Sequence, residues 1–135
     1  KDRIAIAEPT YGMYQVTANI FGVSCFEFGF DEGFTLNAER FLKRVPSDAK
    51  VLFLCSPNNP TGNLLNRERI LQIAQKWQKI VVVDEAYIEF AEHESYASVL
   101  SENKNYAISR ESETTLTYQA TFARIVASSL RAQKT

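Results

Sequence analysis

Three short stretches hold the residue types most capable of chemistry: Pro9-Thr10-Tyr11, Ser56-Pro57-Asn58-Asn59-Pro60-Thr61-Gly62 and Asp84-Glu85-Ala86-Tyr87. A carboxylate accepts hydrogen bonds, carboxamides and phenols donate them, and aromatic rings stack. Together these are the groups that fix a small molecule in place. Singly, each stretch has a plainer reading. Pro, Asn and Gly favour turns wherever they cluster, and an acid at a strand end can cap a helix. All three stretches, however, directly follow apolar runs that read as strands, and that shared placement points to one ligand site.

The elements that must position them can be read along the chain. Residues 3–7 (RIAIA) form a strand, broken by Glu8-Pro9-Thr10. Residues 11–21 have helical spacing, with Met13, Val16, Ile20 and Phe21 on one side, and Gly22 suits the helix end. Residues 23–28 are a second strand and residues 30–35 a turn rich in Asp and Gly. Asn37 can cap a helix running to about Val45, with Ala38, Phe41 and Leu42 inward, and Pro46 ends it. Residues 51–55 (VLFLC) and 80–83 (IVVV) are apolar at every position, as strands inside a parallel sheet covered on both faces must be. Between them Asn66 is a plausible N-cap, and Ile70, Leu71, Ile73, Ala74 and Trp77 make an apolar stripe. Strand, helix, strand in this order predicts a right-handed crossover joining parallel strands. Residues 106–109 are a last strand. The fold class is α/β: three layers, helix on sheet on helix, around a mostly parallel sheet. Such sheets bind ligands outside the carboxyl ends of their strands, which is where the three stretches fall.

Composition narrows the possibilities. The 135 residues suit one domain of ordinary size, and 45% apolar with 23% charged residues is enough for a core. A net charge of −1 argues against a nucleic-acid or membrane surface. No apolar run has the length of a membrane span and no signal peptide is visible, so the expected location is the cytoplasm. The first residue is not Met, so the start is not taken as a natural terminus. Cys25 and Cys55 sit in strands and read as reduced, buried thiols. His93, the only histidine, lies in a polar stretch without metal-ligand spacing, and no metal site is expected.

The loop at residues 56–62, followed one crossover later by Asp84-Glu85-Ala86-Tyr87-Ile88-Glu89-Phe90, resembles the fold-type I aminotransferases, enzymes dependent on pyridoxal 5'-phosphate. The Asn-Pro-Thr-Gly portion identifies only that superfamily. Pro9-Thr10-Tyr11-Gly12-Met13-Tyr14 and the DEAYIEF string are similar to the histidinol-phosphate aminotransferases. The resemblance covers residues 1–110, as part of the cofactor-binding large domain. It implies that Asp84 pairs with the protonated pyridine nitrogen, where a carboxylate keeps the ring cationic through a charge-assisted bond. Asn59 and Tyr87 are implied to donate to the ring's phenolic oxygen, and Tyr11 to stack on the ring face. Pro60 and Gly62 shape the loop so that Asn59 points inward. The implied reaction is amino transfer between histidinol phosphate and 2-oxoglutarate, with a small amino-acid-like substrate and a homodimer in the complete family enzyme.

Residues 111–135 depart from the family pattern. The family's imine-forming lysine lies in a Thr-Leu-Ser-Lys string just past the strand matched by residues 106–109. Arg110 fits the position before that string. Thr115-Leu116-Thr117 echoes it weakly, and Tyr118 stands where the lysine belongs. Lys134, the only later lysine, has no counterpart. No catalytic residue is therefore assigned, and the expectation is a transaminase fragment, truncated or frame-shifted after about Arg110, that is inactive, marginally stable and prone to associate. The upstream glycine-rich phosphate segment, the later phosphate-binding arginine and the small domain are expected to be missing as well. Residues 116–131 carry an apolar stripe (Leu116, Phe122, Ala123, Ile125, Val126 and Leu130) that predicts a helix. The alternatives are a related enzyme acting on aromatic amino acids or threonine phosphate, a non-catalytic α/β binding module, and a degenerate gene product. Against the binding module, the chain has no Gly-x-Gly-x-x-Gly and no Gly-Lys-Ser/Thr phosphate loop.

Overall fold

Five parallel strands form one sheet in the order β2-β1-β3-β4-β5. They are β1 (Arg3–Glu8), β2 (Ser24–Gly29), β3 (Ala49–Cys55), β4 (Ile80–Asp84) and β5 (Tyr106–Ser109). Among the described residues, α1 (Met13–Ile20) connects β1 to β2, α2 (Ala38–Arg44) connects β2 to β3 and α3 (Arg67–Trp77) connects β3 to β4. Short 3-10 turns occupy Glu32–Phe34 and Ile88–Phe90. This computed structural model describes residues 2–92, 95–97, 105–109 and 124. His93, Arg110, Tyr118, Lys134 and the helix expected over 116–131 lie outside the described residues.

The sheet separates two apolar layers, as alternation along each strand requires. Ala5, Leu52, Leu54, Val81 and Val83 face α2 and α3, and pack with Phe41, Ile70, Ile73 and Ala74. Ile4, Ile6, Val51, Phe53, Cys55 and Val82 face the other way, toward Tyr14 and Ala18 of α1. Burying each of the larger side chains contributes roughly 1.5–3 kcal/mol. As the all-apolar composition predicts, β3 and β4 are adjacent and parallel, in register from Val51↔Ile80 to Cys55↔Asp84. Trp77 is on the inner side of α3, partly buried, with its ring edge-on to Phe41 at 5.3 Å.

The caps follow the sequence closely. Asn37 accepts from the Arg40 N–H at 2.9 Å and Asn66 from the Arg69 N–H at 3.1 Å, each satisfying a first-turn donor. Gly22 closes α1 at φ +64°, donating to the Asn19 carbonyl while Val23 donates to that of Ala18. That double bond pattern needs a left-handed residue, which glycine adopts without strain.

The side of α1 singled out by spacing is not its buried side. Tyr14, Thr17 and Ala18 face the sheet, whereas Val16, Ile20 and Phe21 are 46, 63 and 50% exposed. Only Met13 of the expected group packs inward, and only partly. The reason is local. The Tyr14 ring stacks on Phe53 at 5.4 Å, and small Thr17 and Ala18 let the helix lie close to the strands.

Strand order also sets where a ligand can go. From β1 the chain moves to β2 with α1 on one face. From β3 it moves the opposite way, to β4, with α3 on the other face. The loops after β1 and β3 therefore part in opposite directions, and a crevice opens between them at the carboxyl ends.

Candidate active site

Asp84 is the last residue of β4 and continues the Ile80, Val82 alternation, so its side chain points to the α1 face of the sheet. It is 3% exposed. The Tyr14 hydroxyl donates to Oδ2 at 2.8 Å, and the Ala86 N–H donates to Oδ1 at 3.1 Å. Burial raises the Asp84 pKa above the ordinary carboxylate range. The bonds from Tyr14 and Ala86 oppose that rise, and the Glu85 charge adds to it.

Two of the other three residues expected at the site, Asn59 and Tyr87, touch each other, and the third, Tyr11, packs on Tyr14, which bonds Asp84. Asn59 Nδ2 donates to the Tyr87 hydroxyl at 3.4 Å, across 28 residues of sequence. Tyr11 stands edge-on to Tyr14, with ring centroids 5.8 Å apart. Burial raises the Tyr11 pKa, and the charges of Tyr87, Asp84 and Cys55 raise it further, so Tyr11 lies within electrostatic reach of both halves of the cluster. Asn59 and Tyr87 also line an open cavity of about 800 Å³, together with Gly62, Leu64, Phe90 and Glu92. Asp84 and Tyr11 are not in that cavity's wall.

Asn58 holds the loops together. Its Nδ2 donates to the Pro9 carbonyl at 2.8 Å and to Thr61 Oγ1 at 2.7 Å, and its Oδ1 accepts from Thr10 Oγ1 at 2.8 Å. Both side-chain N–H groups are thus used, and the bonds span the crevice between the loops after β1 and β3. Asn58 also accepts from the N–H of Gly62, which sits at φ +76°. The peptide bonds Glu8-Pro9, Ser56-Pro57 and Asn59-Pro60 in these loops are cis. Tyr11 follows Thr10 and Asn59 follows Asn58, so one carboxamide sets the spacing of two expected ligand contacts.

Glu85, pointing the opposite way from Asp84, is a support of the loop behind the site. It is buried and accepts from Ser95 Oγ and from the Tyr96 N–H, both at 2.6 Å. Ser56 accepts from the Leu65 N–H at 2.9 Å and lies 3.1 Å from the Tyr96 hydroxyl. Cys55 is buried as expected, and burial pushes its thiol up to about 11; Cys25, also expected to be buried, is only partly so because β2 is an edge strand, and its thiol is pushed up to about 11. Neither forms a disulfide, and a raised pKa leaves little thiolate at neutral pH. Among the described residues no cluster of His, Cys, Asp or Glu could hold a metal ion.

Sequence reasoning gave Tyr14, Asn58 and Glu85 no role. For Tyr14 the available signal was its spacing three residues past Tyr11 and its place ahead of the small residues Thr17 and Ala18, which marks the close-packed side of a helix.

A profile for aminotransferase class I and II matches residues 1–125, and the chain belongs to that family. Within it the chain is similar to the histidinol-phosphate aminotransferase of Parabacteroides distasonis, 46% identical over 100 residues that make up 74% of this chain and 29% of that protein. It is 43% identical to the Flavobacterium johnsoniae histidinol-phosphate aminotransferase over 110 residues, 82% of this chain and 32% of that one. The crystal structure of the histidinol-phosphate aminotransferase from Clostridium acetobutylicum superposes with a TM-score of 0.70 at 28% identity, covering 79% of this chain and 33% of that one. The chain thus spans about a third of the length of the relatives it matches.

Proposed function

We propose that this chain is the part of a histidinol-phosphate-type aminotransferase that grips the ring of pyridoxal 5'-phosphate, and that by itself it transfers no amino group. The observation that carries the reading is Asp84: a buried carboxylate at a strand end, held by Tyr14 and Ala86. The donor set fits the cofactor. An ionised carboxylate accepts about four hydrogen bonds, and each Asp84 oxygen has one, so capacity remains for a pyridinium N–H⁺. When bound, pyridoxal 5'-phosphate supplies an electron-withdrawing cationic ring. Asp84 holds the proton on the ring nitrogen. Asn59 Nδ2 and the Tyr87 hydroxyl, already 3.4 Å apart, donate together to the phenolic oxygen and favour its anionic form. Tyr11 covers one ring face. Tyr118 cannot attach covalently to the cofactor, so binding here is reversible and no chemistry follows.

The substrate of the complete enzyme is, on this reading, histidinol phosphate, supported by the similarity to histidinol-phosphate aminotransferases. A homodimer working in the cytoplasm goes with it. No helix among the described residues is long and apolar enough to cross a membrane.

The test uses pyridoxamine 5'-phosphate, which lacks the aldehyde that labels surface lysines. The chain should bind it saturably by fluorescence, and Asp84→Ala should weaken binding by about tenfold or more, as loss of a charge-assisted bond requires. Borohydride treatment with pyridoxal 5'-phosphate should mark no single lysine. A uniquely labelled lysine, or amino transfer by the purified chain, would overturn the inactivity. Absence of saturable binding would overturn the cofactor reading.

A further inference from the structure

We propose that Tyr14 is the positioning residue of this site, fixing the orientation of the Asp84 carboxylate through its hydroxyl. Its use in cofactor binding rests on the reading above, but its geometry does not. The Tyr14 side chain is completely buried and cannot swing away. Its ring is clamped by Phe53, stacked at 5.4 Å with an interplanar angle of 28°, and by Tyr11, edge-on at 89°. That clamp aims the hydroxyl at Asp84 Oδ2, 2.8 Å away and 70 residues along the chain. The Ala86 N–H takes the other oxygen. The carboxylate is therefore held at both oxygens from the protein side and cannot rotate about its last bond, so its remaining lone pairs keep one direction.

The same hydroxyl acts on the charge. Asp84 faces Tyr14 and Tyr11 from α1 and its loop, Cys55 from β3, and Glu85 and the Ala86 N–H from its own strand end. Among the described residues no cation belongs to this set. Burial and Glu85 push Asp84 toward the protonated form, and Tyr14 is the first of the groups that resist it. A phenol suits the task because it donates to a carboxylate without bringing a charge of its own to a buried site. Tyr14 touches no reacting atom. It acts only through Asp84.

Tyr14→Phe removes one oxygen and keeps the ring packing. In a chain labelled with ¹³C at aspartate Cγ, with the Asp84 signal assigned by its loss in Asp84→Asn, the Asp84 titration midpoint should rise by about one pH unit in Tyr14→Phe, as loss of a hydrogen bond to a charged acceptor implies. The acid limb of pyridoxamine 5'-phosphate binding should move up in pH by the same amount, while binding well above the limb changes less than threefold. A purely structural Tyr14 would change melting temperature and leave both midpoints in place, and that result would overturn the proposal. If Tyr14→Phe does not fold, Asp84→Asn is read instead on the ¹³Cζ signal of Tyr14, which must shift. An unmoved signal is equally fatal. Failure of the wild-type chain to bind the probe would sink the cofactor reading, while the Asp84 midpoint would still decide the role of Tyr14.

Discussion

Asp84 is a residue whose burial works against the fold. Burial raises its pKa, so the folded chain holds the Asp84 proton more tightly than the unfolded chain does. Stability contributed by this group therefore falls as pH rises from the ordinary aspartate value through the raised folded value, and at neutral pH the ionised carboxylate is a cost. Asp84→Asn removes that cost without disturbing the contacts: the amide oxygen accepts from Ala86, and the amide nitrogen donates to the Tyr14 oxygen, which can turn to accept. The variant should melt at a higher temperature than the parent chain at pH 7, with the gain shrinking as pH falls below the ordinary aspartate range. Circular dichroism melts across that range check it, and a lower melting temperature at pH 7 would show that Asp84 is stabilising. At this scale the sequence singles out residues that stand in a motif, such as Asn59 and Asp84. It is silent about partners from another element, because nothing local to Tyr14 says that Asp84 lies 2.8 Å from its hydroxyl.

At the scale of elements, legibility followed the locality of the signal. α2 and α3 begin where Asn37 and Asn66 predict, because capping is a bond between a side chain and a backbone three residues on. β3 and β4 pair as their uniform apolarity predicts. α1 misleads because its widest apolar side, Val16, Ile20 and Phe21, faces outward, while small residues do the packing. Hydrophobic spacing registers the size of a stripe and not the closeness of a helix to its sheet. The cap assignments predict measurable costs. Asn66→Ala should destabilise the chain by about 1 kcal/mol. Gly22→Ala, forced to φ +64°, should cost about 1–2 kcal/mol although nothing crowds the added methyl. Urea unfolding of each variant reads both. A neutral Gly22→Ala would mean that the end of α1 has relaxed out of its left-handed turn.

Taken whole, the molecule exposes apolar surface in two places within its described part. Val16, Ile20 and Phe21 expose apolar surface on α1, and Phe90, beside the cavity, is 87% exposed. Clusters of this kind drive association in water. Light scattering of the chain should rise with concentration, and the triple change Val16→Ser, Ile20→Ser, Phe21→Ser should reduce it at least severalfold without lowering the melting temperature. Scattering unchanged in the triple variant would put the adhesive surface elsewhere. The sheet's strand order has a further consequence, and it concerns time. β1 meets β2 across 21 residues, Arg3 to Ser24, but meets β3 across 47, Ile4 to Val51. Every ladder in this sheet joins distant segments, so loop closure must be paid before any pairing repays it, and folding is slow for a chain of this size. The crevice lies on the longest of the β1 closures. A nascent chain that has reached β2 already carries Tyr11 and Tyr14, yet Asn58, Asn59 and Asp84 have not been made. The candidate site therefore cannot be completed until β3 and β4 have been synthesised, and until then the loop after β1 lacks the partners that Asn58 and Asp84 supply.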